Sequence, residues 1–209
     1  MDRLDSVLRP LVAYYKRILA SHGPTPLGVG WNSVKAQQLR FGKLCSVLES
    51  EGNLSIIDYG CGYGALLPYL RTRPGDLEYW GYDMCGAMID AAKAEFGNEP
   101  GTRFTTDRGE LPKADYCIAS GIFSFKLEAC NEAWLEYMFR TIDDMASLAT
   151  HGIAFNALTT YSEPEKQRPD LYYADPLQVF DYCKRNLSRD VALLHDYKLF
   201  DFTIIVRMS

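Results

Sequence analysis

The stretch from position 54 to 70, LSIIDYGCGYGALLPYL, constrains the fold more than any other part of the chain. A largely apolar strand runs to Asp58, turns through Gly60, Gly62 and Gly64, and enters a helical pattern. Glycine suits such a turn because it takes positive φ freely and lets a bound molecule approach the backbone. A strand feeding straight into a helix belongs to a βαβ unit, and sheets built this way bind ligands beyond the carboxyl ends of their strands. Gly60, Gly62 and Ala65 also fit the G-x-G-x-x-A turn of dinucleotide-binding domains, so a nicotinamide or flavin cofactor competes with other nucleosides here.

Downstream, strand-like and helix-like segments alternate. Strands are expected at 54–58, 77–82, 103–105, 114–120, 152–158, 190–194 and 199–207, with helices at 65–71, 86–96, 131–149 and 176–186. In the third of these helices Trp134, Met138, Ile142 and Met145 recur at helical spacing, as core residues do. The link between the last two strands is too short for a crossover helix, so the final strand must run antiparallel to its neighbour. The expected fold is therefore an α/β, Rossmann-like, doubly wound seven-stranded sheet closed by an antiparallel C-terminal hairpin.

Two further helical stretches, 4–20 and 33–49, precede the sheet and are joined by the Gly/Pro-rich SHGPTPLGVG; Asn32 or Ser33 suits the N-cap of the second. The chain is thus divided into an N-terminal helical lid, 1–50, and a ligand-binding domain, 51–209. The formal net charge of −5 opposes a phosphate backbone, so no nucleic-acid partner is expected. No apolar run is long enough to span a bilayer. The six cysteines form no Cys-x-x-Cys pair or zinc-like cluster, which suits a reducing, cytoplasmic setting without a bound metal.

The glycine segment, with an acid just before its first glycine and G-x-G-x-G spacing, resembles the corresponding motif of the class I S-adenosylmethionine-dependent methyltransferases. The resemblance runs on through Asp83 and Met84 after the second strand and TDRGELP after the third. It implies that Asp58 and the loop of Gly60, Gly62 and Gly64 lie near the amino-acid portion of S-adenosylmethionine. It further implies that Asp83 accepts hydrogen bonds from the ribose hydroxyls, Met84 walls the adenine and Asp107 meets the adenine amino group. A diphosphate over the turn would find Asp58 unhelpful. The helix KAQQLRFGKL is similar to that of ubiquinone-pathway O-methyltransferases, in which an arginine pairs with the methionine carboxylate; Arg40 is the matching residue, and Trp31 is expected to pack the helix onto the domain, with a lid over the cofactor as the alternative.

The carboxyl ends of the later strands should face the methyl acceptor. Ser120 and Gly121 are expected at the cofactor, and Phe123, Tyr172 and Tyr173 at the substrate, with Asp175 on the same long loop. His195, at the end of the sixth strand, is the candidate general base, since an imidazole titrates near neutrality, and Tyr161, on the loop after the fifth strand, is the second catalytic candidate. The loop after the fourth strand, Ser120-Gly121-Ile122-Phe123, lacks the Pro-Pro-aromatic motif of nucleic-acid amine methyltransferases. The expected activity is methyl transfer from S-adenosylmethionine to oxygen or nitrogen of a small molecule. The rivals are an NAD-linked oxidoreductase and a non-catalytic S-adenosylmethionine-binding module.

Overall fold

A computed structural model describes residues 3–31, 33–48 and 52–208. Its strands are β1 (Leu54–Tyr59), β2 (Leu77–Tyr82), β3 (Thr102–Thr105), β4 (Ala114–Ala119), β5 (Ala149–Thr159), β6 (Tyr173–Ala174), β7 (Asp190–Leu194) and β8 (Asp201–Arg207). The helices are α1 (Arg3–His22), α2 (Val34–Leu44), α3 (Leu66–Leu70), α4 (Gly86–Phe96), α5 (Asn131–Leu148) and α6 (Pro176–Asn186). The principal strands lie in the order β3-β2-β1-β4-β5-β8-β7. β1 to β5 are parallel, and β8 runs antiparallel to both β5 and β7.

Successive strand residues point to opposite faces, and both faces are apolar because both are covered. Ile57, Cys117, Phe155 and Phe202 face one cluster with Trp134, Met138 and Ile142 of α5, Val179 of α6 and Val7 and Leu11 of α1. Ile56, Ile118, Ala154 and Ile205 face the other, with Phe41 and Leu44 of α2, Leu66 and Leu67 of α3 and Ile89 of α4. The N-terminal helices therefore pack on opposite faces of the sheet.

Three departures from the expected elements have local causes. The second N-terminal helix starts where Ser33 Oγ accepts from Ala36 N at 3.1 Å and ends at Leu44 in a 3-10 turn, Cys45–Val47; Asn32 and Glu49 lie outside the described residues. β5 begins where α5 stops and extends to Thr159, because β8 pairs with it from Gly152↔Arg207 to Leu158↔Asp201. Beyond the last β4 partner of β5, the two-residue β6 adds parallel bonds at Leu158↔Tyr173 and Thr159↔Ala174, giving an eighth strand too short to leave a sequence pattern.

Candidate active site

The turn after β1 is tied to the end of β2: Gly60 N and Cys61 N both donate to Tyr82 O, at 2.7 and 2.9 Å. Gly60 (φ +80°) and Gly62 (φ +54°) occupy the left-handed region, and a Cβ on Gly60 would lie 2.2 Å from Ile122 Cγ2. Only glycine fits there. Gly64 also has positive φ, but a Cβ there would meet Phe96 at 3.0 Å, and the residue lines no cavity. Its part is packing the turn on α4 and β3, which corrects the expectation of a ligand contact.

An inner cavity of about 650 Å³, mouth included, opens above this turn. Gly60, Gly62, Asp83, Met84, Ser120 and Gly121 form its floor and walls, and Leu11 and Tyr15 of α1 with Val29 and Trp31 cover it. A smaller lobe of about 330 Å³ shares Gly60, Gly62, Ser120, Val29 and Trp31 and continues to Gln37, Asp58 and Tyr63. The Asp83 carboxylate is held by the turn itself, accepting from Gly62 N at 2.9 Å and Cys85 N at 2.8 Å. Ser120 Oγ is buried without a hydrogen-bond partner.

Two carboxyl groups give this cavity its electrostatic character. Burial raises Asp58 to about 7, although Tyr79 Oη donates to it at 2.7 Å and thereby favours the anion; the nearby Asp83 raises it further. Burial raises Asp83 to about 6, opposed by its two backbone donors. A pair of carboxyls desolvated together is relieved by a cation and strained further by an anion. That preference suits a sulfonium and an ammonium and disfavours a diphosphate.

An outer cavity of about 1780 Å³, mouth included, lies on the far side of Trp31 and Gly121, both of which line it as well. Gly121 has φ +78°, and a Cβ on it would sit 2.1 Å from the Trp31 indole, so the indole lies flush against this glycine as a partition. Arg40 stacks on the indole, its Cζ 4.0 Å from the ring centroid, and its Nη2 donates to the fully buried Asp201 at 2.5 Å. Asn156 Nδ2 donates to Asp201 Oδ1 at 3.4 Å, while Asn156 Oδ1 accepts from Gly121 N at 2.8 Å. The circuit Gly121–Asn156–Asp201–Arg40–Trp31 thus closes on itself around the partition.

These positions sort the remaining expected residues. Arg40 is committed to Asp201 and lines the outer cavity and not the inner lobe; Gln37, one helical turn earlier, lines that lobe. Asp107 accepts from Gly109 N at 2.7 Å, capping the turn Arg108–Glu110, and lines neither cavity. Phe123 is fully buried against Tyr137 and Phe155, and Tyr172 is buried with its N–H on Ser124 O; both belong to the core and not to a substrate surface. Asp175 caps α6. Tyr161, Tyr173 and His195 do line the outer cavity, with the Tyr161 and His195 rings 5.7 Å apart and Tyr173 Oη accepting from Arg168 N at 3.1 Å.

Asp201 and Asn156 add to the expected site residues, and Trp31, expected to pack the helix or to lid the cofactor, stands between the two cavities. A signal was present for the first two: each is a polar residue inside an apolar strand run, LFDFTIIV and IAFNAL, where an unpaired polar group would be costly. Nothing in the sequence brings Trp31 against Gly121.

An open sheet in this order, with a glycine turn after β1, an acid after β2 and an antiparallel last strand, defines a doubly wound nucleoside-binding α/β protein. Comparison with known proteins narrows the class. Residues 56–147 match the family model described as a methyltransferase domain. The chain is 43% identical over 163 residues to Rv1506c of Mycobacterium tuberculosis, whose name makes it a candidate methyltransferase, covering 78% of this chain and 98% of that protein. The chain belongs to the class I S-adenosylmethionine-dependent methyltransferases. Among solved structures, the N-methyltransferase NodS of Bradyrhizobium japonicum WM9 with S-adenosyl-L-homocysteine has a TM-score of 0.67 at 16% identity, covering 94% of this chain and 97% of that one. Magnesium protoporphyrin IX methyltransferase of Synechocystis PCC 6803 with bound S-adenosylmethionine has a TM-score of 0.60 at 16% identity, covering 84% and 81%. At such identities these two structures speak for the fold alone. The dinucleotide reading of Gly60, Gly62 and Ala65 gives way to the family. Among the described residues, no helix is long and apolar enough to cross a membrane.

Proposed function

We propose that the protein transfers the methyl group of S-adenosylmethionine to an oxygen or nitrogen of a small molecule held in the outer cavity. The carrying observation is the inner cavity's pair of desolvated carboxyls beside a glycine turn, separated from a larger cavity by Trp31 and Gly121. The unpartnered Ser120 Oγ is a further sign of fit, since a buried hydroxyl of this kind awaits a ligand group.

In this reading Asp58 and the backbone at Gly60 and Gly62 hold the amino-acid portion, joined by Ser120 and Gln37. Asp83, two of whose lone pairs are taken by the turn, offers the others to the ribose. Met84 lies along the adenine, and Gly121 adjoins the sulfur. The segment from α1 to Trp31 acts as a lid over the inner cavity, with Tyr15 and Trp31 excluding water, while α2 packs into the core of the domain. When bound, S-adenosylmethionine supplies a methyl group on a sulfonium whose thioether leaving group needs no protonation. The chain's task is then to align the acceptor in line with that group. His195 takes the acceptor's proton, with Tyr161 against its ring.

Incubation with methyl-labelled S-adenosylmethionine and a panel of hydroxyl- and amine-bearing small molecules tests this reading. Label in an acceptor, with S-adenosylhomocysteine formed in equal amount, supports it. Stoichiometric cofactor binding without turnover on any acceptor would mark a binding module.

A further inference from the structure

The outer cavity carries more hydrogen-bond donors and positive charge than methyl transfer itself requires. Arg40, Lys166, Arg168 and Lys198 line it against a single carboxylate, Glu163, in a chain whose net charge is −5. Three of these cations have carboxylates of their own: Asp201 for Arg40, Glu163 for Lys166 and Asp170 for Arg168. Lys198 is exposed and has no carboxylate partner among the described residues, leaving a surplus charge at the mouth. Deeper in, two donors are buried without an acceptor: Nε of Arg40, a residue 7% exposed, and Oγ of Ser124, a residue 5% exposed. A buried donor left without an acceptor is costly, so a ligand oxygen that accepts from it is favoured there. The remaining wall is aromatic, with Trp31, Phe125, Tyr173 and Phe200, and the last of these lies under Lys166 at 5.2 Å.

We propose that the methyl acceptor is an organic anion, a carboxylate or a similar oxyanion on a flat apolar body. Ser124 and Arg40 meet its oxygens, Arg168 and Lys198 draw it in from the mouth, and the aromatic wall carries the body. The Arg40 Nε–H and the Ser124 hydroxyl are single unpaired donors, and a ligand oxyanion accepts from both, the first bond being charge-assisted. Rim charges act on encounter and selection while the buried donors set orientation. This inference rests on reading the outer cavity as the acceptor site.

A matched pair of fluorescent dyes provides the test: 1-anilinonaphthalene-8-sulfonate and its uncharged counterpart N-phenyl-1-naphthylamine, titrated into protein saturated with S-adenosylhomocysteine so that the inner cavity is filled. The sulfonate should bind about tenfold more tightly than the uncharged dye. The double variant Arg168→Ala/Lys198→Ala should lose about tenfold for the sulfonate and nothing for the uncharged dye, and Lys113→Ala, away from the cavity, should match the wild type. Equal affinities for the two dyes, no sulfonate binding, or an unchanged double variant would overturn the inference. Calorimetry with S-adenosylhomocysteine on the same proteins separates the failures. If the cofactor product does not bind the wild type, the methyltransferase reading of the site falls; if it binds and the dyes are not distinguished, only the anionic acceptor falls.

Discussion

Replacing Asp201 by alanine isolates the network that holds the partition between the two cavities. Asp201 is fully buried, and its carboxylate is the acceptor for Arg40 Nη2 at 2.5 Å and Asn156 Nδ2 at 3.4 Å. The variant leaves a guanidinium only 7% exposed without its counter-charge. Breaking a buried ion pair on one side costs about 3–5 kcal/mol, because the orphaned charge stays desolvated. For a chain of this size that corresponds to a fall in Tm of roughly 6–20 °C. Urea unfolding followed by tryptophan fluorescence reads the loss directly. Converting Arg40 to methionine in the same protein removes the orphaned charge and should recover most of the stability, as buried ion pairs often exchange for apolar residues with little net loss. If Asp201→Ala unfolds within about 1 kcal/mol of the wild type, or if Arg40→Met fails to rescue it, the pair does not carry the partition as argued.

Three further outcomes follow from the site. Asp83→Ala should weaken S-adenosylhomocysteine by about 2–3 kcal/mol in calorimetry, as ribose hydroxyls lose a charged acceptor and the turn loses its anchor at Gly62; an unchanged dissociation constant would remove the acid from the binding site. Asp58 sits at about 7 in the fold against 3.8 for the free group, so the folded state holds its proton more tightly. Its contribution to stability is full below the unfolded value and is lost as pH rises through about 7, amounting to about 2–3 kcal/mol between pH 5 and pH 8 without ligand. Asp58→Asn should remove that slope in urea unfolding, and equal slopes in the two proteins would contradict the assignment. His195→Ala should lower turnover by about 10²–10⁴-fold with cofactor affinity unchanged; a full-speed variant would leave the reaction to alignment alone.

The sheet was legible because its signals are local. The apolar runs of β1, β4 and β8, the helical spacing from Trp134 to Met145 and the short link before Asp201 each act within a few residues. The grouping of Gly60, Gly62, Asp83 and Met84 around one cavity was legible for a related reason: they stand at or just after strand ends, which topology alone brings together. Expectations failed where tertiary packing decides a side chain's direction. Phe123 and Tyr172 stand on loops at the ligand-binding edge but turn into the core, where an aromatic ring gains most from burial. Asp107 turns back to cap its own loop, a competition that short carboxylates often win locally. Arg40 is drawn from the expected carboxylate by Asp201, a partner 161 positions away that no local pattern announces.

The central claim is that the inner cavity takes a sulfonium-bearing nucleoside and no dinucleotide. Isothermal calorimetry with S-adenosylmethionine, S-adenosylhomocysteine and NAD on one preparation tests it most directly. Binding of the first two with micromolar-range affinity, tightening from pH 5 to pH 8 as Asp58 and Asp83 lose their protons, together with no heat from NAD, is the predicted result. Saturable NAD binding without heat from either sulfur nucleoside would contradict it.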